Sequence, residues 1–144
     1  MADLLPHRFL FRYSFAVAYE AALPRRGKRL LKLPAAYRLP DLGSLDGAEP
    51  FGDIRLAWNE RGLGISAEVR GKQRPPEVRP DAPTESDGLQ IWLDTRNTQN
   101  IHRAGRFCHH FCFLPTGAGG KGDQPIAAQL PIARAREDAP DAHV

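Results

Sequence analysis

Two neighbouring stretches of the chain alternate apolar and polar side chains with a period of two, on either side of a short turn. The turn is residues 59–62, Asn-Glu-Arg-Gly, and the apolar positions around it are Ile54, Leu56, Trp58, Leu63, Ile65, Ala67 and Val69. A period of two is that of a β-strand with one apolar face, and two such strands joined by a tight turn form a hairpin. The pattern predicts strands over residues 53–59 and 63–70, with Trp58 buried.

Three other stretches, residues 8–18, 87–94 and 107–114, alternate in the same way, and residues 126–132 fit either a further strand or a short helix. The 144 residues are 42% hydrophobic, which is enough for one core. The 13 glycines and 13 prolines require many turns, which suits short strands better than long helices. We therefore expect an all-β fold, an antiparallel β-sandwich that forms a single domain over residues 1–144 with an irregular tail at 136–144.

The segment 87–94 carries the most informative pattern for function. Its aliphatic residues fall on one face, which leaves Gln90, Trp92 and Asp94 on the other, and His110 of the next predicted strand points away from the core as well. Tryptophan offers a flat apolar surface, and the polar side chains could place hydrogen bonds around it, as a sugar ring requires. The alternative is that a second core layer covers this face and buries Trp92. The proline-broken residues 71–86 are predicted to form a surface loop that either borders a site or crosses between two sheets.

Metal and disulfide chemistry fits the sequence poorly. His102, Cys108, His109, His110 and Cys112 are ligand types, but adjacent residues of a strand face opposite ways. Cys108 and Cys112 on one strand would lie about 13 Å apart, too far for a disulfide or for one tetrahedral ion. We expect reduced thiols and no metal site.

Catalytic arrangements are no better supported. Cys108 and His110 share a strand face, but a buried cysteine that only packs is the simpler interpretation. Asp87 and Asp94 would lie about 23 Å apart on a strand, beyond the roughly 10 Å of a glycosidase pair, while Glu85 with Asp87 stays a weaker alternative. We expect no catalytic residues, no enzyme activity and no cofactor.

Charge and hydropathy limit the partners. The formal net charge is +3, but the basic residues are scattered and cluster only at residues 25–29, which is typical of a solvated turn rather than a nucleic-acid surface. No stretch approaches about 20 uncharged apolar residues, and the N-terminus lacks the apolar core of a secretory signal. We expect a cytoplasmic protein that binds neither nucleic acid nor membrane.

Two segments match the motifs of a known family, in the same order and at the same spacing. They are Ile54-Arg55-Leu56-Ala57-Trp58-Asn59-Glu60 followed by Gly62-Leu63-Gly64-Ile65, and Ser86-Asp87-Gly88-Leu89-Gln90-Ile91-Trp92-Leu93-Asp94. Over roughly residues 35–132 the chain resembles the family 9 carbohydrate-binding modules and the wider DOMON-like β-sandwich domains.

The resemblance implies a sugar site on the concave face of the sandwich. Gln90 stands where the family has an acidic ligand residue, and His110 stands approximately where it has an arginine. The family's first ring-sandwiching tryptophan falls near Pro83 or Thr84, and its second lies in final strands that this chain does not reach, which implies a sandwich lacking its C-terminal strands. Two hypotheses stay open: a non-catalytic carbohydrate-binding module, and a structural or interaction domain without a small-molecule ligand. In either case we expect an open sheet edge through which the chain self-associates.

Overall fold

The computed structural model describes residues 13–23, 31–43, 47–97 and 104–132. Within these ranges the regular elements are strands and two three-residue 3-10 helices, joined by turns and irregular segments, so the all-β class is confirmed. The strands are β1 (Ala18–Tyr19), β2 (Gly52–Asn59), β3 (Gly62–Val69), β4 (Leu89–Asp94), β5 (Cys108–Ala118) and β6 (Gln124–Leu130). Neither 3-10 helix of the described ranges has the length to cross a membrane. The chain divides into two compact units, with the boundary between Gln73 and Arg74.

The first unit contains a three-stranded sheet in the order β1-β2-β3. β2 and β3 pair antiparallel from Gly52 opposite Val69 to Asn59 opposite Gly62, which leaves a two-residue turn. The Asn59 side chain supports the turn, because its Oδ1 accepts a hydrogen bond of 2.9 Å from the Arg61 amide. The predicted hairpin is therefore confirmed.

The first predicted strand, residues 8–18, is wrong over residues 13–17. Residues 8–12 lie outside the described ranges, residues 13–17 form no strand, and β1 pairs with β2 in parallel, not antiparallel. The reason is competition for the edge of β2. Arg38 bridges Arg55, and the Leu39 amide donates to the Ile54 carbonyl, so the positions that residues 13–17 would need are already occupied.

The core of the first unit lies on the face of β2 that the alternation predicts to be polar. Leu23, Leu33 and Ala57 are buried together. Gly64 lies opposite Ala57, and a Cβ added there would stand 2.7 Å from Leu23 Cδ2, so the leucine occupies the space that a side chain would fill.

Trp58 is 44% exposed, so the prediction that it is buried is wrong. The polar residues of β2 can be covered because they find partners. Asp53 accepts hydrogen bonds from Arg55 and Arg38, and the Asn59 amide donates to the Leu23 carbonyl. A buried polar group that is hydrogen-bonded avoids most of its desolvation cost. The apolar face with Trp58 is left partly open to solvent.

The second unit contains the sheet β4-β5-β6, with both pairs antiparallel. The strands predicted over residues 87–94 and 107–114 are present within a residue or two at the ends, except that β5 continues to Ala118 past an irregularity between Leu114 and Ala118. The ambiguous segment 126–132 is mostly strand, as β6. An Ala-rich stretch adopts strand geometry here because it completes the ladder of β5.

Cys112 and Leu114 are buried, although the alternation predicts that Cys112 points away from the core. The segment before β4 covers them. The Cys112 thiol donates to the Pro83 carbonyl at 3.6 Å, and a Cβ added to Gly88 would lie 2.7 Å from Leu114 Cδ2. The end of the proline-broken connection, from Pro83 to Gly88, therefore packs against the sheet, whereas residues 71–77 are exposed.

Candidate functional site

The pairing of β4 with β5 brings the predicted site residues to one face of the second sheet. Trp92 lies opposite His110, Gln90 lies opposite Cys112, and Asp94 lies opposite Cys108. Residues that are opposite each other in an antiparallel pair project to the same side. Gln90, Trp92, Asp94 and His110 therefore share a face, as the sequence predicts.

Trp92 is a largely exposed aromatic ring with a rigid support beneath it. Its ring stacks on that of His110 with centroids 4.2 Å apart and planes inclined by 15°. Trp92 is 61% exposed whereas His110 is 6% exposed. One side of the indole is therefore covered by the imidazole, and the other side is free to receive a flat apolar ligand surface.

A chain of hydrogen bonds holds the support in place. His110 Nε2 lies 3.0 Å from Gln90 Oε1, and Gln90 Nε2 donates to the Thr84 carbonyl at 3.2 Å. Because the glutamine oxygen can only accept, His110 Nε2 carries a proton and donates to it. This hydrogen bond fixes the orientation of the imidazole under Trp92.

Asp94 lies at the end of this face, one strand repeat beyond Trp92, or about 6.6 Å along the backbone. It is exposed, and its Oδ1 accepts a hydrogen bond of 2.9 Å from the Arg96 amide, which stabilises the turn after β4. The structure thus brings Gln90, Trp92 and His110 into direct contact and places Asp94 at the periphery of the group.

The 3-10 helix Pro83–Glu85, within the connection of residues 71–86, contacts Gln90 through the Thr84 carbonyl. The main-chain carbonyls of Pro83 and Thr84 accept hydrogen bonds from the Cys112 thiol and from Gln90 Nε2. Sequence reasoning missed this contribution because a carbonyl group belongs to every residue and leaves no residue-type signal.

The two thiols differ in their surroundings. Cys112 is fully buried, and burial raises the pKa of its thiol, which disfavours the nucleophilic thiolate. Cys108 is half-buried, and neither cysteine forms a disulfide. Within the described residues no three histidine, cysteine or acidic side chains are grouped so as to hold a metal ion; His102 lies outside those ranges.

Comparisons of the chain with protein-family models, with curated proteins and with solved structures give no match.

Proposed function

We propose that this chain is a non-catalytic carbohydrate-binding module whose site is centred on Trp92. The observation that carries the proposal is the exposed indole stacked on a fixed imidazole. A sugar ring presents an apolar face of C–H groups, which packs on an aromatic plane, and a rim of hydroxyls, which needs hydrogen-bond partners.

The polar groups around Trp92 retain capacity for such a rim. The Gln90 amide has two N–H donors and an oxygen with two lone pairs. The Thr84 carbonyl takes one of the donors, and His110 Nε2 takes one of the lone pairs. One donor and one acceptor remain. Asp94, on the same face, adds a carboxylate, which accepts hydrogen bonds from hydroxyls. The site thus offers a platform and both kinds of hydrogen-bonding group.

The proposal includes a β-sandwich as the complete fold. Its support is that each sheet carries a face of aliphatic and aromatic side chains of the kind that a sandwich buries. In the first sheet these residues are Ile54, Leu56, Trp58, Leu63 and Ile65; in the second they are Leu89, Ile91, Leu93, Phe111 and Phe113.

Fluorescence of Trp92 alone provides the test. In the variant Trp58→Phe, Trp92 is the single tryptophan, and in the first unit the change removes the indole hydrogen bond to the Val17 carbonyl and keeps an aromatic ring beside Tyr19. We expect a saturable change in emission with at least one member of a panel of neutral mono- and disaccharides, with a Kd of about 1 mM or lower. A panel that leaves the emission unchanged up to roughly ten times that concentration would contradict the proposal.

A second candidate function is that of an interaction domain that self-associates. Ile54, Trp58, Leu63 and Val69 are exposed on the first sheet, and within the described residues no strand pairs with the outer edge of β3. An unpaired edge beside an apolar face is a template for association.

Sedimentation velocity of the full chain tests the second candidate. We expect oligomers whose fraction rises with concentration and falls in Ala67→Lys, because a charge on an edge strand opposes pairing. Ala35→Lys, at an exposed position outside the sheet, is the matched control and should behave like the unmodified chain. A monomer at every concentration would rule out this candidate.

A further inference from the structure

A cleft of about 390 Å³ lies in the first unit, beside the start of β2. Its volume falls within the range of small-molecule sites. Its walls include Arg38, Phe51, Asp53, Ile54 and Arg70. None of these residues belongs to the face around Trp92, so the cleft requires an explanation of its own.

Three guanidinium groups, those of Arg38, Arg55 and Arg70, lie around one buried carboxylate, Asp53, at the polar end of the cleft. Asp53 is buried and accepts two hydrogen bonds from Arg55, of 3.0 Å from Nε and 2.7 Å from Nη2. Arg38 Nη2 also donates to Asp53 Oδ2, and Arg70 Nη2 lies 3.9 Å from the same oxygen. Hydrogen bonds from Arg55 and Arg38 hold the pKa of Asp53 well below its usual range, so it stays ionised.

Arg38 and Arg70 therefore converge on one buried oxygen while more than half of each side chain is exposed. A guanidinium carries five N–H donors, and Asp53 accepts only a small share of the donors of Arg38 and Arg70. Arg70 also pairs with Glu68 at 3.2 Å, but this pair is exposed and contributes little, so an incoming anion can replace it. Asp41, the other carboxylate of the walls, accepts the Gly43 amide.

The other end of the cleft is apolar. Phe51 is 76% exposed, which is unusual for a phenylalanine, and Ile54 and Leu42 are exposed beside it. Exposed apolar surface next to convergent polar groups is the composition of a ligand pocket rather than of a solvated loop.

We propose that this cleft binds a small organic anion, with its carboxylate between Arg38 and Arg70 and its apolar or aromatic body against Phe51. Arginine binds carboxylates through paired N–H groups, which gives directional as well as electrostatic recognition. Asp53 and Arg55 position the two exposed arginines and do not contact the ligand. This site is separate from the saccharide function proposed above and does not depend on it.

Titration of the ¹⁵N-labelled full chain with phenylacetate tests the proposal, with the arginine Nε signals as readout. We expect saturable shifts of the Arg38 and Arg70 signals. The neutral 2-phenylacetamide, which lacks the charge, should bind roughly tenfold or more weakly, because a charge-assisted hydrogen bond is about twice as strong as a neutral one. Inorganic phosphate should also bind more weakly, because it has no apolar body to place on Phe51.

Variants assign the two halves of the site. Arg70→Gln should weaken phenylacetate binding by roughly tenfold, and Phe51→Ala should weaken it severalfold. Arg79→Gln is the matched control, because Arg79 is similarly exposed and ion-paired but lies in the second unit, and it should have no effect. Unshifted arginine signals, equal affinity for the amide or phosphate, or an equal loss in Arg79→Gln would overturn the proposal.

Discussion

Replacing Trp92 by alanine is expected to abolish saccharide binding and to leave the fold intact. Among the described residues of the face formed by Gln90, Asp94 and His110, the indole is the only large apolar plane, so its loss removes the surface on which a sugar ring packs. A central aromatic residue of a binding site typically contributes about 2 kcal/mol or more, or roughly thirtyfold in Kd. An exposed side chain contributes little to stability, so unfolding should change by only about 0.5 kcal/mol.

Calorimetric titration with the sugar identified by fluorescence measures the effect. The matched control is Trp58→Ala, because Trp58 is the other exposed tryptophan of the chain and lies in the first unit. It should bind as the unmodified chain does, and Trp92→Phe should retain part of the affinity through its smaller ring. Equal losses in Trp92→Ala and Trp58→Ala would show that the site is elsewhere.

The largest expected loss of stability comes from Leu33→Ala. Leu33 is fully buried against Leu23 and Ala57, and its carbonyl accepts a hydrogen bond from Arg55. Truncating a buried leucine removes its transfer free energy and leaves a cavity, at a cost of about 2–5 kcal/mol. Since a domain has a total stability of only about 5–15 kcal/mol, a large part of it would be lost.

Chemical denaturation of the full chain, followed by the fluorescence of Trp58 in a Trp92→Phe background, measures this loss. Leu42→Ala is the control, because Leu42 is 40% exposed in the same unit and lies outside its sheet. Its effect should stay within about 0.5 kcal/mol. If both variants unfold at the same denaturant concentration, Leu33 is not part of a tightly packed core.

The strands that were predicted correctly are those whose pairing is local in sequence. The hairpin of β2 and β3 has both its alternation and its turn within one short stretch, and β4 lies next to β5 in the same way. For the same reason the placement of Gln90, Trp92 and His110 on one face could be predicted. The alternation within each strand shows which of its residues share a face. Antiparallel pairing then places residues that lie opposite each other on the same side of the sheet.

The exposure of Trp58 could not be predicted, because the alternation of residue types separates two faces of a strand without indicating which one is covered. In β2 the covered face is decided by partners far away in sequence. Asp53 meets Arg38, and Asn59 reaches the Leu23 carbonyl, 36 positions earlier. The hydrogen bond from Gln90 to the Thr84 carbonyl could not be predicted either, because it depends on the path of the main chain and not on the type of side chain at residue 84.

The parallel pairing of β1 with β2 has a consequence for the order of folding. The Trp58 indole joins the Val17 carbonyl across 41 positions, whereas the hairpin of β2 and β3 closes over two residues. Closing a long loop costs more chain entropy, so the hairpin should form first, within about 1–10 μs, and β1 should dock later. Because β1 docks last and pairs with β2 at only two positions, it should also be the first strand to detach. Residues 17–20 should therefore leave the edge of β2 in brief local openings, and the Glu20 amide should exchange with solvent sooner than the amides of the hairpin.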